Sequence, residues 1–180
     1  MKIVGVSGTI IGSKTRVVVS TVLDEIVKVD PSIEVKLLDL KEYNVQFCDG
    51  RDPSEYNEDT KKVFDIMKSG DVFLMGTPIF NASLSGPLKN LIDLTPVSTF
   101  KNKVMGFIAT GGTYQHYLVI ENQLKPIAGY FRSFVAPSYV YATNDHFNKN
   151  NEVVDEEVLE RIHNLAKELV FMQKSLKLSE

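Results

Sequence analysis

The chain has 180 residues, 43% apolar and 24% charged, the balance of a globular domain and not of a disordered binding tail. Its net charge of −3 leaves no surplus of Lys and Arg to neutralise a nucleic-acid backbone, and one cysteine with three scattered histidines builds neither a disulfide nor a zinc site. No apolar run nears the roughly 20 residues of a membrane helix, and the start, Met1 to Val6, shows no signal-peptide pattern, so the expectation is one cytoplasmic domain over residues 1–180 with no nucleic-acid or membrane partner.

Residues 3–6 read as a first strand. Residues 13–29 carry Val19, Val22, Leu23 and Ile26 on one helical face, with Asp24, Glu25 and Lys28 opposite. The β-branched run Val17-Val18-Val19 favours a strand instead. The helix is preferred because Asp30-Pro31 supplies a stop and residues 33–37 then alternate as a strand. Residues 39–57 are polar and irregular, with Asp49-Gly50 and Asp52-Pro53, and loops of that length are usually functional or mobile; Cys48 lies within it. A helix over residues 58–68 (Val63, Ile66, Met67) closes at Gly70, and residues 72–75 form a buried strand.

The rhythm repeats in the second half. Ser85 caps a helix bearing Leu88, Leu91 and Ile92, with Pro87 in the first turn, where a missing N–H costs nothing. Residues 104–109 make a further strand. One helix is expected over residues 114–131, kinked at Pro126, with Tyr117, Ile120, Leu124, Ile127 and Phe131 on one face. Residues 134–141 read as an edge strand because Pro137 cannot donate to a ladder. The last helix, residues 156–174, has the strongest stripe: Val158, Ile162, Leu165, Leu169 and Met172. Strands and helices thus alternate five times, the pattern of a parallel sheet with helices on both faces.

In an open α/β sheet, ligands bind beyond the carboxyl ends of the strands. Three segments rich in Gly, Ser, Thr and Asn follow strands there: residues 7–15, 76–83 and 110–113. In the first, Gly5, Gly8 and Gly12 miss the spacing of the dinucleotide fingerprint. Residues 8–15 come closer to a nucleoside-triphosphate loop, but Ser13 stands at its sixth-position glycine, and Gly76-Thr77-Pro78 offers no aspartate for magnesium. A small kinase is therefore disfavoured. Taken alone, the segment reads equally as a phosphate site at a helix N-terminus or as a helix cap by Ser13.

The other two segments carry a resemblance. Pro78-Ile79-Phe80-Asn81-Ala82-Ser83, followed by Gly86-Pro87 and Leu88-Lys89-Asn90, resembles the flavin loop of the NADPH-dependent FMN reductase family. Gly111-Gly112-Thr113, His116 and Leu124-Lys125-Pro126 resemble in particular the flavin reductases that serve two-component alkanesulfonate monooxygenases. The resemblance covers roughly residues 3–140 and implies a flavodoxin-like three-layer αβα sandwich with a five-stranded parallel sheet in the order 2-1-3-4-5. It implies FMN as cofactor and NADPH or NADH as hydride donor, with electrons passing to free flavin, a quinone or an azo compound. The FMN phosphate would lie over Ser7, Thr9, Ser13, Lys14 and Thr15. The ring would lie against Pro78, Ile79, Phe80, Asn81 and Ser83, with its N1 and O2 edge near Thr110, Gly111 and Gly112. No side-chain acid or base is required, and His116 is the one side chain considered for a catalytic role. The resemblance further implies a homodimer or homotetramer, with the helix over 114–131 as the interface, and allows a monooxygenase partner. Relatives with such partners commonly carry an aromatic residue where Asn122 stands. That departure predicts FMN held as a prosthetic group. A flavodoxin-type electron carrier is the alternative, although such carriers are usually strongly acidic and −3 is mild.

Overall fold

The computed structural model describes residues 1–177. In chain order the elements are β1 (Lys2–Ser7), α1 (Lys14–Val29), β2 (Glu34–Asp39), α2 (Glu58–Lys68), β3 (Val72–Phe80), β4 (Ser83–Leu84), α3 (Gly86–Leu94), α4 (Val97–Phe100), β5 (Val104–Gly111), α5 (Lys125–Tyr130), β6 (Phe134–Val135), β7 (Val140–Thr143) and α6 (Glu156–Lys177). The sheet runs β2-β1-β3-β5-β6, every neighbour parallel, with β7 also beside β5. This is the doubly wound flavodoxin-like order 2-1-3-4-5 once β6 and β7 are taken as halves of the expected fifth strand.

The strand count differs from expectation: the sheet has 7 strands among the described residues. The first half of the edge strand pairs Val104 and Met105, and the second half pairs Ile108 through Gly111. Pro137 stands between them without an N–H to give, so the ladder breaks there. The other addition is β4, which folds back antiparallel on the extended end of β3, pairing Phe80 with Ser83 and Ile79 with Leu84.

Alternation along the central strands sets two cores. Ile3, Val72 and Leu74 pack toward α1 and α6, where Val19, Ile26, Leu165 and Leu169 are buried. Val4, Val6, Phe73 and Met75 pack the other way, against Met67, Leu88, Leu91 and Phe131. Each of these large apolar side chains contributes about 1.5–3 kcal/mol on burial. That exceeds the few tenths of a kcal/mol by which valine disfavours a helix. Hence Val18, Val19 and Val22 sit buried in α1 and not in a strand.

The continuous helix expected over residues 114–131 is not formed. Tyr114–His116 makes one 3-10 turn, and the helical run that begins at Val119 is π-helical over Ile120–Leu124 and α over Lys125–Tyr130. Pro126 explains the wide turn. It cannot donate to the carbonyl of Asn122 and its ring crowds that carbonyl, so the Lys125 N–H reaches back five residues to Ile120 O.

Candidate functional site

The carboxyl ends of β1, β3, β5 and β7 open on one edge of the sheet, where the loops beyond them line a cleft of about 440 Å³. Ile11, Gly12, Ser13, Lys14 and Thr15 form one wall, Pro78, Ile79 and Phe80 a second, and Thr110, Gly111 and Gly112 a third, with Asn144 and Asn151 at the rim.

The first wall ends in the α1 N-terminus, whose leading N–H groups have no partner within the helix. Ser13 holds the N-cap position, yet its side chain makes no cap hydrogen bond; Ser13 Oγ instead accepts from Asn151 Nδ2 at 2.9 Å. The capping alternative therefore fails here, and the first-turn amides stay available to an anion. Gly12 has a φ of +72° and open space where a side chain would stand, so the backbone turns into the helix without filling the cleft. Lys14 Nζ donates to Asn144 Oδ1 at 2.6 Å and stands 5.0 Å from the centre of the Phe147 ring. Nearby Arg16 is committed to the buried carboxylate of Asp39 at 3.1 Å.

Not every residue expected at the site reaches the cleft. Thr9 is buried, its hydroxyl donating to Ile11 O at 2.8 Å and accepting from Ile11 N at 3.2 Å, so it shapes the loop from behind. Ser7 is fully buried and its Oγ has no partner. By strand alternation from Ile3 and Gly5 it points toward α1, below the loop. Thr15 Oγ1 and Thr110 Oγ1 share a hydrogen bond of 2.7 Å that ties the first wall to the third.

Pro78 to Phe80 extend β3 into the hairpin with β4, and Phe80 is 44% exposed. Asn81 and Ser83 belong to the hairpin but do not line the cleft. Asn81 and Ala82 occupy its turn with φ values of +48° and +61°, the left-handed pair that a two-residue hairpin requires. Gln123, on the π-helical turn, clamps it: its Oε1 accepts from Ser83 Oγ at 2.8 Å and its Nε2 donates to Ala82 O at 3.2 Å. Gln123 went unrecognised in the sequence because forty residues separate it from its partners. Ser85 caps α3 as expected, accepting from Leu88 N at 3.2 Å. Its hydroxyl also donates to Gly8 O, joining the first two loops.

On the third wall, a side chain at Gly111 would overlap the Tyr141 hydroxyl, which donates to Thr113 O at 2.7 Å. Burial pushes the Tyr141 phenol above its ordinary value, so it stays a neutral donor. Because the helix behind this wall is broken, the dipole expected at Gly111 and Gly112 shrinks to one short turn, and only local N–H groups remain. His116 lies in that turn and does not line the cleft. Lys89 and Lys125 pair with Asp93 and Glu121 on helix surfaces, away from the site. Exposed Cys48 lies in the 39–57 loop, its N–H held by Asn90 Oδ1 at 2.8 Å.

Asn144 and Asn151 were not anticipated. As expected, the fifth strand is a parallel edge strand, and β7, beside β5, delivers its following loop to the same rim. Among the described residues no cluster of His, Cys, Asp and Glu could hold a metal ion, and no helix is long and apolar enough to cross a membrane.

The chain is similar to several known proteins. The sequence model of the NADPH-dependent FMN reductase family matches residues 1–147. An NAD(P)H-dependent FAD/FMN reductase of Geobacillus thermodenitrificans is 57% identical over 177 residues, 98% of this chain and 96% of the relative. An FMN reductase (NADPH) of Pseudomonas aeruginosa is 30% identical over 162 residues, covering 89% of this chain and 86% of the relative. An oxidoreductase from Corynebacterium diphtheriae superposes with a TM-score of 0.81 at 21% identity, covering 99% of this chain and 97% of that one, a likeness of fold.

Proposed function

The chain belongs to the NADPH-dependent FMN reductase family, and on that premise we propose that its cleft is the flavin site of an NAD(P)H-dependent FMN oxidoreductase. The observation that carries the placement is the meeting of an uncapped α1 N-terminus and Lys14 with the walls at Pro78–Phe80 and Thr110–Gly112 in one cleft.

The residues present fit the group. A volume of about 440 Å³ lies within the range of small-ligand sites. The Lys14 ammonium and the uncapped first-turn amides of α1 suit a phosphate dianion. When bound, FMN supplies the chemistry, its N5 accepting hydride from a reduced nicotinamide and its electrons passing to an acceptor. The chain supplies binding and orientation. Lys14, Ser13, Thr15 and the first amides of α1 hold the phosphate. The backbone of Pro78, Ile79 and Phe80 would offer a wall to the ring, and the amides of Gly111 and Gly112 would be available to its polar edge.

In this reading Asn81, Ser83 and Thr9 support the site from outside the cleft, and His116 takes no catalytic part. The nicotinamide of NADPH or NADH would reach the flavin through the same open cleft. The acceptor is a small oxidant, such as free flavin, a quinone or an azo compound, with FMN retained as a prosthetic group and no monooxygenase partner required. Exposed Tyr114, Tyr117, Leu118 and Tyr130 along the broken helix support a homodimer or homotetramer packed on that face.

The test is the visible spectrum of purified, FMN-loaded protein before and after anaerobic addition of NADPH. Flavin bands that survive gel filtration and then bleach are expected. Bands that persist with excess NADPH and with NADH would refute the reading.

A further inference from the structure

We infer that the loop after β7, residues 144–153, is a clamp for the phosphate of a phosphorylated flavin, with Asn144 and Asn151 as its working side chains. The inference rests on the flavin placement above.

Its first support is the charge state of Lys14. The Lys14 ammonium donates to the Asn144 carboxamide at 2.6 Å, and among the described residues no carboxylate lies within ion-pair distance of it. A neutral amide orients the ammonium without cancelling its charge. A carboxylate in the same place would neutralise it and repel an incoming phosphate. The Phe147 ring, 5.0 Å from the same ammonium, adds orientation and likewise leaves the charge intact.

The second support is the hydroxyl on the opposite side of the helix start. Asn151 Nδ2 donates to Ser13 Oγ at 2.9 Å. With that lone pair occupied, the Ser13 O–H is left to donate, and the acceptor it suits is an anion at the α1 N-terminus. Both carboxamides also keep N–H donors that no described residue accepts.

The third support is rigidity. Phe147 and Val153 bridge antiparallel, and Asn148 Oδ1 accepts from the N–H groups of Asn150 at 2.9 Å and Glu152 at 3.0 Å. Asn151 itself sits at a φ of +64°, a left-handed position that asparagine tolerates better than most residues. Below the loop, buried His146 anchors it. Its Nδ1 accepts from Thr143 N–H at 3.2 Å, and its Nε2 shares a hydrogen bond with the Tyr114 hydroxyl. The loop is thus tied both to the phosphate wall and to the segment that follows Gly112.

A clamp of this kind discriminates by phosphate, not by ring. The experiment titrates flavin-free wild type, Asn144→Ala, Asn151→Ala and Asn144→Asp with FMN and with riboflavin, following quenching of flavin fluorescence. Wild type is expected to bind FMN more tightly than riboflavin. Each alanine variant should lose about tenfold in FMN affinity, equivalent to about 1.4 kcal/mol, while riboflavin affinity stays within about twofold. Asn144→Asp should lose the most for FMN, because it sets an anion beside Lys14. Riboflavin binding doubles as the check on folding. Equal weakening of both flavins would overturn the clamp, leaving the loop a support for the fold. Unchanged or tighter FMN binding would overturn it too, since the two bonds would then merely close the cleft. A wild type without preference for FMN would sink the phosphate placement itself, and the clamp with it.

Discussion

Replacing Gly111 with alanine puts a methyl group where the Tyr141 hydroxyl stands, and an ideal Cβ there also lies 3.1 Å from Tyr141 Cζ. Tyr141 has little room to retreat, being 1% exposed within the core beneath β5. Moving it forfeits the hydrogen bond to Thr113 O, worth about 1 kcal/mol net. It also adds overpacking strain of about 1–3 kcal/mol. Gly111→Ala should therefore lose about 2–4 kcal/mol, at about 2–4 °C in Tm per kcal/mol for a chain of this size. Tyr141→Phe alone loses only the hydrogen bond, about 1 kcal/mol. The double variant should lose less than the sum, because the overlapping hydroxyl is gone and only the tight Cζ contact remains. A favourable coupling of about 1–2 kcal/mol is expected from thermal and urea unfolding of the four proteins without flavin. Losses that add within about 0.5 kcal/mol would refute the steric argument.

Lys14→Gln should weaken FMN binding about tenfold or more and leave riboflavin binding nearly unchanged, as charge-assisted bonds to phosphate require; equal effects on both flavins would count against it. Ala82→Gly should stabilise the protein by about 1 kcal/mol, because Ala82 bears a φ of +61° in the β3–β4 turn, and a lower Tm would contradict that strain. Gln123→Ala releases that hairpin, so amide exchange across residues 79–84 should accelerate about tenfold, with unaltered protection as the refuting result. The Asp30 carboxyl is held well below its ordinary value of 3.8 by the Lys174 ammonium and by Ser32. Because its folded-state value is the lower one, its contribution to stability is complete above pH 3.8 and fades as the pH falls below that. Lys174→Met should therefore unfold at higher pH on the acid side, and an unchanged acid midpoint would refute the linkage.

Much of this was legible from local chemistry. The Asp30-Pro31 stop, the Ser85 cap and the stripe of the last helix are rules of a few neighbouring residues, and each element formed where those residues stand. The loops carrying Ser13, Lys14, Phe80, Gly111 and Gly112 were found for the same reason: they follow strands, and strand ends place loops together in a parallel sheet. The break of the 114–131 helix was harder to foresee. Its apolar periodicity is genuine, with Ile120, Leu124 and Phe131 buried, and periodicity does not distinguish an α turn from a π turn.

What the sequence determined by itself is therefore the doubly wound fold, the edge of the sheet where the cleft opens, and the family resemblance written in its second and third loops. What only the tertiary structure decided is which polar groups in those loops face the cleft. Thr9 spends its hydroxyl on its own loop and Ser83 spends its hydroxyl on Gln123, whereas Asn144 and Asn151 arrive from the far end of the chain to hold Lys14 and Ser13. The physical reason is that a hydrogen bond depends on distance and direction in space. Between residues some 130 positions apart, only the assembled sheet sets either.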